Sequence, residues 1–207
     1  MTVFSAQGMK LLFVHVPKTG GTSVEYAFRD QGWELSYWDN RHDENIYRTC
    51  PPQHMHASLL RETLRLSRFD GIFMTVRDPI ARLQSEYLMR HERRTDLRLD
   101  EDYVEDWALR QFAFARRDPF HLDNHMRAQS EFLLEEAVVY RLEDGLNEAI
   151  QDLNTRFGIS GPTHIPREKV GGEHRAVSSR DVRVSARLRA RLLEQYSADF
   201  EVFGYDR

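Results

Sequence analysis

Pro17-Lys18-Thr19-Gly20-Gly21-Thr22-Ser23 gathers in one short stretch the parts that hold an anion. Two adjacent glycines let the backbone turn tightly and bring its N–H groups close to a ligand. Thr19, Thr22 and Ser23 add hydroxyl donors, and Lys18 adds a mobile cation. Residues with helical spacing follow directly, so the donors and partial positive charge of a helix N-terminus face the same point. Together they suit a terminal phosphate-like group; a glycine-containing turn capped by Thr22 or Ser23 is the plain structural alternative. The order of the residues also matters. A nucleotide-kinase P-loop reads G-x-x-x-x-G-K-[ST], with lysine after the glycines and a hydroxyl for Mg²⁺. Here lysine comes first, and neither Gly-Lys-Ser nor Gly-Lys-Thr occurs in the chain. That order weakens a kinase assignment.

The elements that must position this loop follow from patterning. Leu11-Leu12-Phe13-Val14-His15-Val16 is a short apolar run ending at Pro17, which predicts a buried strand. Ser23 to Arg29 places Val24, Ala27 and Phe28 on one helical face. Ile72 to Val76 predicts a second buried strand, closed by Arg77-Asp78-Pro79 and followed by a helix from Ile80 to Arg94. Ala137 to Tyr140 predicts a third, and Trp33 to Trp38 a further one. Helices are expected over Ala57–Leu66, Asp100–Arg116, Gly145–Phe157 and Arg180–Phe200, with a long loop from Gly158 to Ser179. Strands alternating with helices imply an α/β fold: three layers, a mostly parallel central sheet flanked by helices, in a single domain over residues 1–207. In such folds ligands sit beyond the carboxyl ends of the strands, which directs attention to the residues after Val16 and after Val76.

Two segments carry a resemblance. Val16 to Ser23 resembles the 5′-phosphosulfate loop of carbohydrate sulfotransferases that use 3′-phosphoadenosine-5′-phosphosulfate (PAPS), the group that includes the heparan sulfate 2-O- and 6-O-enzymes. Val76-Arg77-Asp78-Pro79-Ile80-Ala81-Arg82-Leu83-Gln84-Ser85 resembles their 3′-phosphate element, a strand followed by Arg-x-Pro and then Ser eight residues after the Arg. The likeness continues more weakly through Asn124-His125-Met126-Arg127 and Tyr140-Arg141-Leu142-Glu143. It implies a P-loop-like sulfotransferase fold, with PAPS as co-substrate, 3′,5′-adenosine bisphosphate (PAP) as product and no metal. It also implies that Pro17 to Ser23 hold the phosphosulfate, that Arg77 and Ser85 hold the 3′-phosphate, and that Lys18 neutralises the leaving oxygen. The physical chemistry agrees, because an arginine fork matches a phosphate dianion and in-line group transfer depends on positioned donors. The plain structural alternative for Arg77 is an ion pair with a neighbouring carboxylate, and for Ser85 a small packing residue.

An acceptor hydroxyl must lose its proton as it attacks, and histidine suits that near neutral pH. Of nine histidines, His56 stands out in Gln53-His54-Met55-His56-Ala57-Ser58, ahead of a predicted helix. This H-x-H is similar to the segment that holds the base in the 2-O- and 6-O-enzymes, which implies His56 as base, with His54 the lesser candidate. Alternate histidines can also chelate, but no third ligand of suitable spacing appears, so no metal site is expected. Lys169 or Arg175 is a candidate to close over the nucleotide or acceptor, and a solvated loop is the alternative there. Asn124 and Arg127 are candidates for ligand contacts.

Composition sets the outer limits. Eight Tyr, twelve Phe and three Trp supply the apolar area that disordered chains lack. A net charge of −4 offers no broad attraction to nucleic acid or to anionic membrane, so no nucleic acid partner is expected. Cys50 is the only cysteine, which excludes an intrachain disulfide. The Leu11–Val16 run is far shorter than the roughly 20 residues of a membrane helix, so no stable membrane insertion is expected. The expectation is a cytoplasmic enzyme acting on a hydroxylated acceptor, a saccharide or another small molecule. The alternatives are an ATP-dependent small-molecule kinase and a non-catalytic nucleotide-binding module of the same fold.

Overall fold

The computed structural model describes residues 1–38, 47–165 and 177–207. Five strands form one sheet: β1 (Thr2–Ala6), β2 (Met9–Val14), β3 (Glu34–Ser36), β4 (Gly71–Val76) and β5 (Val138–Arg141). Their spatial order is β3-β1-β2-β4-β5. β2, β4 and β5 pair in parallel, while β1 is antiparallel to both β2 and β3. Four strands therefore run one way and β1 alone runs against them, which makes the sheet mixed.

Around the sheet lie α1 (Gly21–Asp30), α2 (Ala57–Thr63), α3 (Pro79–His91), α4 (Glu101–Ala115), α5 (Leu146–Phe157), α6 (Ala186–Gln195) and α7 (Ser197–Phe203). The two faces of β2 explain its unbroken apolar run. Leu11 and Phe13 join a core with Val24, Ala27 and Phe28 of α1 and Ile150 and Leu153 of α5. Leu12 and Val14 join the opposite core with residues of α2, α3, α4, α6 and α7. Both faces are covered, so both sets of alternating side chains must be apolar. Phe4 stacks on Phe28 at 4.3 Å between ring centroids, and Phe13 on Phe73 at 4.9 Å, locking α1 onto three strands.

β1 is a strand that the sequence pattern does not predict; it forms a hairpin with β2 through Gln7 and Gly8, both at positive φ. Two expectations require correction. The helix expected over Arg180–Phe200 starts only at Ala186, capped by the Ser185 side chain, and breaks at Tyr196 into α6 and α7. The break lets Tyr196 stay buried, with its hydroxyl donating to the Met126 carbonyl at 3.0 Å. Finally, α2 stops at Thr63, where Leu64 turns extended, rather than at Leu66. The Lys169 and Gly171–Arg175 candidates lie outside the described residues.

Candidate active site

β2 and β4 are neighbours running in the same direction, so the residues that leave their carboxyl ends emerge side by side. A cavity of about 530 Å³ opens there, within the roughly 300–1,000 Å³ of small-ligand sites. It is lined by Pro17, Lys18, Gly20, Gly21, Thr22 and Ser23 from one tip and by Arg77 and Ser85 from the other.

The loop after β2 is built so that only glycine fits at two places. Gly20 has φ 86°, and a Cβ there would meet Leu142 and Leu146 at 3.1 Å. At Gly21 a Cβ would stand 2.5 Å from Nε2 of His15. Lys18 also has positive φ, at 69°, an uncommon and costly conformation for a side-chain-bearing residue. Its ammonium lies 3.2 Å from Met89 Sδ on α3, so the side chain reaches across the cleft. Thr19 differs from the expectation. Its hydroxyl donates to the Val16 carbonyl at 2.8 Å and lies 2.9 Å from that of Thr75, so it ties the loop to β4. Thr19 is fully buried and does not line the cleft.

The second tip is set by side chains. Gln129, buried, clamps the backbone of Arg77 from both sides: Arg77 N–H donates to its Oε1 at 2.9 Å, and its Nε2 donates to the Arg77 carbonyl at 2.7 Å. Asp199 of α7 accepts from the N–H groups of Gln129 and Ser130 in turn. Asp78 caps α3 through Ala81 N–H at 2.8 Å and so fixes where Ser85 faces. Burial lowers the Arg77 pKa, partly offset by Glu143 and Asp78; an arginine remains charged nonetheless. Arg82 turns away, donating to the carbonyls of His125 and Arg127 at 3.0 and 2.7 Å.

The histidines are arranged differently from expectation. His56 is the residue before α2, near Phe120, and is not among the residues lining the cleft. Burial and the charge of Arg127 lower its pKa. Instead His15, His54 and His125 line the cleft in a row, with ring centroids 5.3 and 4.8 Å apart. A buried glutamate stands at each end. Nδ1 of His15 is 2.8 Å from Glu25 Oε1, and Glu25 also accepts from Thr2 and from Gln53. Nδ1 of His125 is 2.6 Å from Glu86 Oε2, and Arg90 Nε donates to the other oxygen at 2.8 Å. Burial alone would raise both carboxylates, but their partners outweigh it: Glu25 is held below its ordinary value and Glu86 at about 2.

Asn124 and Arg127 do not line the cleft. Asn124 donates to the His54 carbonyl at 2.9 Å and accepts from Arg127 Nε at 3.0 Å, so the pair holds the wall rather than facing it. Tyr26 and Trp38, edge to face at 6.2 Å, also border the cleft; no periodicity had marked them. Among the described residues no group of three His, Cys, Asp or Glu could hold a metal ion, and no helix is long and apolar enough to cross a membrane.

Fold and cleft together describe a glycine-loop α/β protein whose site lies at the carboxyl edge of the sheet. Residues 1–206 match the model of the sulfotransferase family, and the chain belongs to that family of transferases. Its fold is similar to that in the crystal structure of a sulfotransferase from Alicyclobacillus acidocaldarius, with a TM-score of 0.50 and 14% identity over 95% of this chain and 96% of that one. No curated protein matches it.

Proposed function

We propose that the protein transfers a sulfuryl group from PAPS to a hydroxyl of a carbohydrate acceptor. One observation carries this: the glycine loop and the Arg77–Ser85 element, read from sequence as two ends of one nucleotide site, line a single cleft at adjacent strand tips. In this assignment the N–H groups of Gly20 to Ser23 hold the 5′-phosphosulfate, where two glycines admit no Cβ. Arg77 and Ser85 hold the 3′-phosphate. Lys18 neutralises the charge that develops on the bridging oxygen as the S–O bond breaks. PAPS supplies an activated sulfuryl group whose departure leaves PAP. Tyr26 and Trp38 supply apolar ring faces beside polar groups, a combination that suits a sugar ring. A histidine takes the acceptor proton. Sequence resemblance points to His56, while His15, His54 and His125 border the cleft.

The test is ligand-dependent stabilisation followed by transfer. PAP at about 100 times its dissociation constant should stabilise the protein by roughly 2.7 kcal/mol without metal. ATP with Mg²⁺ should give little. The reverse result would favour a kinase. Labelled PAPS should then pass its label to a member of a panel of saccharides and small hydroxylated compounds; PAP binding with no transfer to any of them would indicate a binding module.

A further inference from the structure

We infer that His125 is the catalytic base, held in its working tautomer by Glu86 as a positioning residue. The inference rests on the sulfuryl-transfer assignment above. Glu86 is 2% exposed and ionised, so it only accepts, and the proton it receives must sit on Nδ1 of His125. That leaves the lone pair on Nε2, in a residue that lines the cleft. Lys18, the group assigned to the leaving oxygen, lies close enough for its charge to depress the pKa of His125. Burial lowers that pKa first and the Glu86 carboxylate offsets it in part, so the net shift is downward and favours the neutral imidazole that a base requires.

The other histidines are less suited. Nε2 of His15 faces the α-carbon of Gly21, so the matching His15–Glu25 pair supports the loop. Among the described residues no carboxylate pairs with His54, and burial together with its two histidine neighbours drives its pKa well down. Its Nδ1 is buried with no hydrogen-bond partner among the described residues. His56 is outside the cleft lining. The backbone before His125 is also unusual: Leu122, Asp123 and Asn124 are all left-handed, with φ of 53°, 55° and 67°. Left-handed backbone is unfavourable above all for Leu122, and the Asn124 and Arg82 hydrogen bonds hold the segment in place.

The step balances simply. The acceptor oxygen forms a bond to sulfur as its proton passes to Nε2 of His125. The bond from sulfur to the bridging oxygen breaks, and its electron pair stays on the 5′-phosphate of PAP beside Lys18. His125 then returns the proton to solvent.

Two measurements test this. The first needs no acceptor: long-range ¹H–¹⁵N spectra of the protein with PAP should show His125 as the Nδ1–H tautomer. A proton on Nε2 would overturn the assignment. In the second, His125→Ala should lose about 10²–10⁴-fold in kcat while PAP binding is unchanged, and imidazole should restore part of the rate. Glu86→Gln should move the acid limb of the pH–rate profile to lower pH, because the carboxylate no longer raises the base. A purely structural role would leave that limb in place. Full transfer by His125→Ala, with loss confined to His56→Ala or His54→Ala, would sink the inference while sparing the sulfuryl-transfer assignment. Loss of PAP binding in the wild-type protein would instead sink the latter.

Discussion

The tips of β2 and β4 face one cleft with opposite construction. After β2 the cleft-facing surface is largely backbone: glycines, a helix N-terminus and a strained lysine. After β4 it is a guanidinium and a hydroxyl, aimed by Gln129, Asp199 and Asp78. A backbone site tolerates almost no change in shape, because an added Cβ collides with neighbours. A side-chain site can lose one group and keep its outline. The two tips should therefore fail differently.

Between the two tips, the largest effect should come from Lys18→Ala, which removes one transition-state donor and should lower kcat by about 10²–10³ while PAP remains bound. A matching loss of PAP binding would show that the β2 tip acts in the ground state alone. Gly21→Ala should come next. Its Cβ would stand 2.5 Å from the His15 ring, so titration with PAP should reveal loss of affinity together with a lower melting temperature. Arg77→Lys should weaken PAP about 10- to 100-fold, from the roughly 1.5–3 kcal/mol of a charged hydrogen bond. The same variant should leave binding of adenosine 5′-phosphosulfate, which lacks the 3′-phosphate, unchanged; equal losses for both nucleotides would break the division between the tips. Ser85→Ala should cost only about 2- to 10-fold, equivalent to roughly 0.5–1.5 kcal/mol, on the same PAP titration.

Acid should act on both tips together. Glu25 and Glu86 have folded pKa values depressed below the ordinary carboxylate, so each contributes stability that is present above the unfolded pKa and lost as pH falls through the folded one. For Glu86 that window runs from 4.5 down to about 2. Urea melts across this range should show falling stability, with a shallower fall in Glu86→Gln.

The sequence exposes most of the β2 tip because its parts are contiguous: an apolar run, a proline and two glycines spell strand, turn and helix in order. The β4 tip was partly legible for the same reason, but Gln129 lies 52 residues from Arg77 and no spacing rule joins them. The Glu86–His125 pair spans 39 residues and is equally silent in the sequence, whereas the H-x-H segment is contiguous and therefore visible there. Thr19 shows the limit of composition: a hydroxyl in an anion loop reads as a ligand donor, yet the neighbouring strand claims it. β1 escaped because Thr2 to Ala6 is short and mixes polar with apolar residues; the Gln7-Gly8 turn was its one usable signal. The single long helix failed at Tyr196, where a tertiary hydrogen bond outweighed local helical preference.

The three left-handed residues ahead of His125 carry a consequence for how the protein gives way under stress. Local turn bonds hold that kink in part, from Asp123 N–H to the Phe120 carbonyl and from His125 N–H to the Leu122 carbonyl, and anchors on α3 and around His54 tie it to the rest of the molecule. Such a segment relaxes once those anchors loosen. On the proposed assignment, warming should extinguish transfer before the glycine loop releases PAPS, leaving a folded protein that occupies the donor without spending it.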